Sequence, residues 1–323
     1  MGSGLARFAA RRLVSMVLVL FAVSVIVFAI FNVIPGGDPA VRMAGKVPTE
    51  TQIEAIREEW GFDEPVYVQY AKTMEKLFTG DLVSYFTQLN VTDEILNGAP
   101  RTFALAIGAS VIWMAFAIGL GLFGAIRQGA LSDRLLNALA LIGIAMPVFW
   151  LGAMLSHYLG SEAGLFPSGG YVEFLDSPAE WLWHLVLPWF TLAVLFIGIY
   201  SRVLRADVIE TMNEDYVRAA RAKGLSERRV MLNHVLRNSL IPIVTLWGLD
   251  FGAVLGGGAI LTEQVFGLQG VGQYAADSIG QFDVPAVMGV VMYGAFFIVV
   301  FNTLVDIAYA ALDPRIRLEG DGR

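Results

Sequence analysis

The sequence predicts an all-α integral membrane protein with six transmembrane helices. Hydrophobic residues make up 56% of the 323 residues, which is too many for a soluble protein with an ordinary surface. Six segments of roughly 20 mainly apolar residues are each long enough to cross a bilayer core as a helix. Basic residues cluster in alternate loops between them. The segments are, in approximate bounds, 13–34, 102–125, 135–159, 182–203, 239–262 and 285–311.

The charge of the loops predicts the orientation. By the positive-inside rule, the loops rich in arginine and lysine are cytoplasmic, so both termini are predicted to be cytoplasmic as well. These basic residues are Arg7, Arg11, Arg12, Arg127, Arg134, Arg218, Arg221, Lys223, Arg228, Arg229, Arg237, Arg315, Arg317 and Arg323. The first external loop is acidic and is either a solvated surface or a docking face for an external partner. Its acidic residues are Asp38, Glu50, Glu54, Glu58, Glu59, Asp63, Glu64, Glu75, Asp81, Asp93 and Glu94.

The first segment is predicted to stay in the mature chain, because its apolar run is longer than that of a usual signal peptide. The glycines and prolines of residues 35–39 cannot continue a helix, so the chain turns there. The region 36–99 then forms an external unit with two short helices. One is capped by Thr49 or Thr51 and ends at Gly61, and the other spans about 65–78.

The second and third spans carry glycine and proline at informative positions. Pro100 is predicted to open the second span, and Pro147 to kink the third. The small residues of the second span are predicted to pack against another helix, since small residues let helices approach closely in lipid. These residues are Ala115, Gly119, Gly121 and Gly124. A substrate groove is the alternative.

Aromatic and basic residues mark the two ends of the fourth span. Trp181, Trp183 and Trp189 bracket its start like an interfacial aromatic anchor. Arg202 and Arg205 close the span and are predicted to reach the cytoplasmic headgroups with their long side chains.

The fifth span combines close-packing glycines with a carboxylate. Gly252 and Gly256 have the spacing of a helix-packing motif, and two further glycines follow. Asp250 is costly within a span, so it is either a pathway or gate residue or a structural hydrogen-bond anchor. The sixth span carries Asp306.

The loop 206–238 is the most basic part of the chain. Its alanines predict a short helix, Gly224 a break, and Ser226 the N-cap of a second helix. Ala219 and Ala220 would leave one side of the first helix nearly bare, which would let another protein approach closely. A solvated basic loop is the alternative.

This stretch resembles the "EAA" loop of ABC-importer permeases, in which two alanines and a glycine four residues later form the coupling helix. The matching residues here are Ala219, Ala220 and Gly224, and the string 215–224 is similar to the dipeptide and oligopeptide branch. Arg218 departs from the pattern, because it stands where the family's glutamate would be. Further matches are Gly37-Asp38-Pro39, Gly80-Asp81-Leu82, Pro147 with Phe149, Glu263 with Phe266, and Asp313 to Arg317.

The resemblance implies the type I ABC importer permease fold. Residues 1–35 would hold the N-terminal tail and first helix, 100–312 the permease core with the coupling loop, and 313–323 a cytoplasmic tail. The residues implied in ATPase coupling are Asp215, Tyr216, Arg218, Ala219, Ala220, Lys223, Gly224 and Leu225. The pathway or gate candidates are Pro147, Asp250, Gly256 and Glu263, with Glu263 near the outer mouth.

The resemblance also implies partners and a cargo. The partners are a second homologous permease, two ATPases that bind ATP and Mg, and an extracytoplasmic solute-binding protein, around the bilayer of a bacterial or archaeal cytoplasmic membrane. The cargo is a di- or oligopeptide, although similar permeases carry nickel, glutathione or some sugars. Two other classes stay open: a stand-alone secondary transporter or channel with Asp250 and Asp306 as ion sites, and a membrane scaffold.

No enzymatic site is predicted within the chain. It has no cysteine and no phosphate-binding loop, and its three histidines lie in separate segments. Neither a catalytic residue, nor a metal site, nor a cofactor, nor a nucleic-acid partner is therefore expected. Energy for active transport must come from another subunit.

Overall fold

The computed structural model describes residues 2–30, 40–41, 44 and 49–312, and these residues are almost entirely helical. Their only β interaction is an isolated bridge between Val83 and Asn90. The helices of the first half are α1 (Gly2–Phe28), α2 (Glu50–Trp60), α3 (Val66–Thr79), α4 (Val91–Ile126), α5 (Leu131–Ala145) and α6 (Val148–Leu155). The predicted turn at 35–39 and the terminal Asp313 to Arg317 lie outside the described residues.

The second half continues with long helices joined by short ones. They are α7 (Pro178–Met212), α8 (Asp215–Ala222), α9 (Glu227–Val230), α10 (Arg237–Ala253), α11 (Ile260–Phe266), α12 (Val271–Gln281) and α13 (Val284–Leu312). π-helical turns extend α6 over Ser156–Glu162, join α9 to α10 over Met231–Leu236, and extend α10 over Val254–Gly258.

Five unbroken helical stretches of the described chain are long and apolar enough to cross a membrane. They are Ala10–Phe28, Val91–Ile126, Pro178–Met212, Glu227–Gly258 and Val284–Ile307. The pair Leu131–Ala145 and Val148–Glu162 completes the predicted six when it is taken as one broken span.

That broken span is bent far more sharply than a proline kink predicts. The two halves meet at 97° between Ala145 and Val148. Met146 is extended there, as expected of a residue before proline, and Pro147 occupies the N-cap position of α6. The position of the predicted break is confirmed, but the two halves are separate helices.

α4 starts well before the predicted start at Pro100, which lies inside the helix. Asn90 explains the early start, because its side-chain oxygen accepts from the backbone N–H groups of Thr92 (2.8 Å) and Asp93 (3.2 Å). The added turns pack against α12, where Gly98 approaches the backbone of Val271.

α4 and α7 pack together along most of their lengths and form the centre of the main core. Trp113 and Tyr200 are fully buried between them. A Cβ at Gly108 would collide with the indole of Trp189, and one at Gly121 would come 2.8 Å from the carbonyl oxygen of Ser201. Glycine is therefore required at these crossings.

The predicted small-residue stripe on α4 is only half correct. Gly121 and Gly124 face α7, but Ala115 and Gly119 are exposed. Because successive helical residues are about 100° apart, positions 119 and 121 point to nearly opposite sides of the helix.

The tryptophans at the start of α7 form contacts within the chain, and their role as an interfacial anchor stays a prediction. The Nε1–H of Trp181 donates to Tyr171 Oη (2.9 Å), and that of Trp189 to the carbonyl oxygen of Ala104 (2.9 Å). Trp183 stacks on Phe166.

α10 and α13 are held together by glycines, as the spacing of Gly252 and Gly256 predicts. A Cβ at Gly252 would meet Phe301 at 2.7 Å, and one at Gly256 would meet Ile298 at 2.6 Å. The fifth span ends at Gly258, before the predicted residue 262, because Gly257 has a φ of 137° that breaks the helix.

Both predicted short helices of the external region are confirmed as α2 and α3. Thr49 and Gln52 form a capping box at the start of α2, and Gly61 ends it in a left-handed conformation. α3 docks on α1, where Tyr70 Oη lies 2.7 Å from Ser24 Oγ and its ring contacts Phe28.

Candidate functional site

The loop between α7 and α10 folds as two helices separated by a glycine, as predicted. α8 ends at Ala222, and Gly224 has a φ of 80°, a left-handed conformation that a residue with a side chain adopts only with strain. Ser226 occupies the predicted N-cap position of α9, but its side chain makes no capping hydrogen bond.

The two alanines of α8 face different surroundings. Val217 and Ala220, one turn apart, are buried in the main core together with Val230 and Val235. Ala219 is exposed. The prediction that both alanines form one bare face is therefore wrong for Ala220, which anchors the helix to its own chain.

Hydrogen bonds tie α8 to the ends of two transmembrane helices. Arg218 donates to the carbonyl oxygen of Asn213 (2.7 Å), which directly follows α7. Asn238, in the first turn of α10, donates to Tyr216 Oη (2.6 Å). α8 is therefore linked by hydrogen bonds to the end of α7 and to the start of α10.

The outer surface of α8 and its end consists of Asp215, Arg218, Ala219 and Lys223. We call it the coupling face, after the role that the resemblance implies for it. All four residues are exposed, with 98% of the Asp215 side chain and 67% of the Arg218 side chain accessible. The ion pair between Asp215 and Arg218 measures 3.5 Å and contributes little at such exposure. Leu225, also predicted here, is half-buried. The coupling face therefore offers one small residue among charged ones.

Asp250 is held by a hydrogen bond within the helix bundle. Tyr200 Oη, on α7, donates to Asp250 Oδ2 at 2.6 Å. Tyr200 is fully buried and Asp250 is half-buried. This geometry favours the structural-anchor alternative and leaves the carboxylate partly accessible.

Glu263 is fully buried, so its carboxylate is closed off from the surface of the chain. Its position near the outer mouth of the pathway stays a prediction. Its Oε1 accepts from Thr102 Oγ1 (2.7 Å) and its Oε2 from the backbone N–H of Gln273 (2.9 Å). Thr102 Oγ1 in turn accepts from the backbone N–H of Val271 (2.9 Å). Burial raises the pKa of Glu263, while hydrogen bonds from Thr102, Gln273 and Gly272 act in the opposite direction.

The four pathway candidates do not form one cluster. Gly256 packs on α13, and Pro147 is exposed at the break of the third span. No hydrogen bond joins any two of the four in the described chain. In the part of the chain that the structure describes, no group of three or more histidine, aspartate or glutamate side chains could hold a metal ion.

The structure contains a buried ion pair, between Asp133 and Arg205, that the sequence analysis did not predict. Arg205 Nε and Nη2, on α7, contact the two oxygens of Asp133 at 2.6 and 2.7 Å. Gly129 N–H and Asn137 Nδ2 also donate to Asp133, each at 2.9 Å. Arg205 is thus paired within its own chain, and its predicted reach to the headgroups stays a prediction. The sequence did contain a signal for this ion pair. Asp133 lies in the first turn of α5, and Arg205 lies near the end of the next span.

Two family patterns match the chain. The family described as binding-protein-dependent transport system inner membrane component matches residues 117–318, which is more than half of the chain and includes α8. Its N-terminal counterpart matches residues 5–106. The chain belongs to this family.

Named relatives agree with this membership. A Brucella abortus (strain 2308) protein, whose name assigns it to a peptide transport system as permease, is 36% identical over 96% of this chain and 98% of its own length. An Escherichia coli K12 protein assigned by name to a D,D-dipeptide transport system is 37% identical over 95% and 96%. The glutathione transport system permease protein of Escherichia coli O6:H1 is 36% identical over 95% and 97%.

Family membership identifies the chain as the membrane subunit of an ABC importer, as the resemblance implied. It is a transport protein that works with other ABC transporter subunits, and those subunits carry the ATPase activity.

Proposed function

We propose that this chain is the permease of a short-peptide importer and that α8 is its coupling helix. The three relatives are named for peptides, D,D-dipeptides and glutathione, which is itself a short peptide. Import would proceed across the bacterial or archaeal cytoplasmic membrane, with both termini in the cytoplasm. The proposed complex contains a second homologous permease, two ATPases that bind ATP and Mg, and an extracytoplasmic solute-binding protein.

The observation that carries the coupling role is the double attachment of α8. Arg218 links it to the end of α7, and the Tyr216–Asn238 bond links it to α10. Val217 and Ala220 seat it in the core, while the coupling face remains open to a partner. A partner that pulls on this face would move two transmembrane helices together.

ATP can shift the transporter between inward-open and outward-open states only if the states differ in affinity for it. In the proposed mechanism the two ATPases close on ATP, and each holds one coupling helix. The buried side of α8 limits motion relative to its own chain, so closure is passed to α7 and α10. Asp250 bridges these same two helices through Tyr200, which makes it the pathway candidate best placed to respond.

The coupling role is tested with Ala219→Trp in the complete complex, reconstituted in liposomes with the solute-binding protein. A large ring on the coupling face is expected to obstruct ATPase docking and to lower peptide uptake by an order of magnitude. Uptake of labelled dipeptide and ATP hydrolysis are measured together. Ala138→Trp is the matched control, because Ala138 is an exposed alanine on α5 away from the coupling face.

Two results would contradict the coupling role. One is normal uptake by Ala219→Trp at normal protein levels, and the other is an equal loss in Ala138→Trp. Ala220→Asp does not serve as the test, because burying a carboxylate at Ala220 would disturb the fold of α8 itself.

The cargo is tested by competition. Uptake of a labelled dipeptide is expected to be inhibited by unlabelled di- and tripeptides and not by nickel or sugars. Solute flux driven by an ion gradient, without ATP and without partner subunits, would instead support a secondary transporter. Asp306, a candidate ion site in that alternative, is paired with Arg12 at 2.8 Å.

A further inference from the structure

A long groove runs between α4, α5 and α7 on the outside of the helix bundle. Its volume is about 330 Å³, near the lower end of the range of small-molecule pockets, roughly 300–1,000 Å³. Apolar side chains such as Leu120, Leu136 and Val194 line most of it. The groove lies along α4 and α7, which are long and apolar enough to span a membrane, and along α5, the first half of the broken span. In a membrane, lipid would therefore surround this groove.

The groove has one polar end and one apolar end. α4 and α5 are joined by the short turn 127–130, which closes the polar end next to Asp133 and Arg205. Gly143 and Phe190 line the opposite, apolar end. A groove of about 330 Å³ admits a thin, flexible apolar chain more readily than a second helix, whose diameter is about 10 Å.

The charges at the polar end favour an anion. Asp133 and Arg205 neutralise each other through two hydrogen bonds. Arg202 also lines the groove, is exposed, and has no acidic partner among the described residues. One positive charge therefore remains at this end.

The length of the apolar stretch before Arg202 would place this residue at the depth of lipid headgroups. The apolar part of α7 runs from about 182 to 201, and twenty helical residues span about 30 Å, the thickness of a bilayer core. Arg202 follows this stretch directly. A guanidinium group at this level can bind a phosphodiester through two parallel hydrogen bonds.

We propose that this groove binds one anionic phospholipid, with its phosphate on Arg202 and an acyl chain along α5 and α7. The lipid would fill the groove along α4, α5 and α7 and complete the surface of the bundle. The proposal concerns the chain's own membrane surface, so it holds whatever solute the importer carries.

The test uses the purified full-length chain in nanodiscs that contain phosphatidylglycerol or phosphatidylcholine, each with the same photoreactive diazirine acyl chain. Cross-linked peptides are identified by mass spectrometry. Phosphatidylglycerol is expected to label the groove segments of α5 and α7 in preference to phosphatidylcholine. Arg202→Gln should reduce this labelling about fivefold, the contribution typical of one basic residue near an anionic lipid. Arg228→Gln, which removes an exposed arginine outside the groove, should leave it unchanged.

A second variant tests the groove by shape. Leu139 lines the groove and is 63% exposed, so Leu139→Trp should fold while narrowing the site. It is expected to lower groove labelling by both lipids. Equal labelling by the two lipids in the unmodified chain, or full labelling in Arg202→Gln, would overturn the proposal. So would a cross-link from Leu139 to a second permease in the assembled complex, since a protein would then occupy the groove.

Discussion

Glu263 and Asp133 are both buried carboxylates near opposite ends of α4, but they are stabilised in different ways. Glu263 is bound by uncharged donors: the Thr102 hydroxyl and backbone N–H groups of the α12 start. Asp133 is bound by the charged Arg205. The first arrangement joins α11 and α12 to α4, and the second joins α5 to α7.

The difference shows that burial of an acid within a membrane protein does not by itself identify a transport site. An intramembrane or buried acid is a functional candidate by default. Glu263 has no exposed surface, and its two oxygens are both engaged by donors of its own chain. Asp250 differs from both, because it is partly accessible and receives one hydrogen bond.

Loss of the Glu263 side chain should have the largest effect on stability. Glu263→Ala leaves the donors of Thr102 and Gln273 unsatisfied in a closed site and opens a cavity. We expect a loss of about 3 kcal/mol in the free energy of unfolding, measured by thermal or denaturant unfolding in detergent. The control is Glu162→Ala, because Glu162 is an exposed acid on the extension of α6. An unchanged midpoint in Glu263→Ala would mean that the Glu263 hydrogen bonds contribute no net stability.

Removing only the carboxylate of the Asp133–Arg205 ion pair should have the next largest effect on stability. Asp133→Ala leaves Arg205 without its partner, and we expect a loss of about 2 kcal/mol, less than the roughly 3–5 kcal/mol of a fully buried pair because a quarter of the Arg205 side chain is exposed. The double variant Asp133→Leu with Arg205→Met should recover most of that loss, since no charge is left unpaired. Additive losses in the double variant would show that the two residues do not act as a pair.

The change in folding stability with pH that Glu263 causes should be smaller than these two losses. Because its folded-state pKa is raised above the ordinary value of 4.5, the folded protein binds more protons than the unfolded chain just above pH 4.5. Stability is therefore expected to fall as the pH rises from 4.5 through the raised pKa. Melting temperatures of the unmodified chain and of Glu263→Gln across this range provide the test. The same slope in both proteins would exclude Glu263 as its source.

Local patterns in the sequence predicted most of the helices correctly. Thr49 with Gln52 and Gly61 mark the ends of α2, and Gly224 separates α8 from α9. Such signals depend only on neighbouring residues, so they are visible without knowledge of the tertiary structure. The predicted start of α4 at Pro100 was wrong, because the helix already begins after the Asn90 cap and continues through the proline.

Contacts between distant segments could not be predicted in the same way. Thr102 and Glu263 are 161 positions apart, and Asp133 and Arg205 are 72 apart. Which side of a helix faces the core was also uncertain, as the burial of Ala220 and the exposure of Gly119 show. These features depend on how the helices pack, and helix packing is a property of the whole fold.

The smallest expected effect concerns two glycines with the same backbone conformation. Gly129 and Gly224 both have a φ of 80°, and a Cβ at either position would meet no atom within 4 Å. Alanine at each should therefore cost only the strain of the left-handed conformation, about 1 kcal/mol. Gly129 also donates its N–H to Asp133, whereas Gly224 donates to the carbonyl oxygen of Arg221. If Gly129→Ala costs clearly more than Gly224→Ala in denaturant unfolding, the Asp133 site depends on the precise position of this N–H. Equal costs would mean that the Gly129 N–H adds little to the binding of the carboxylate beside Arg205 and Asn137.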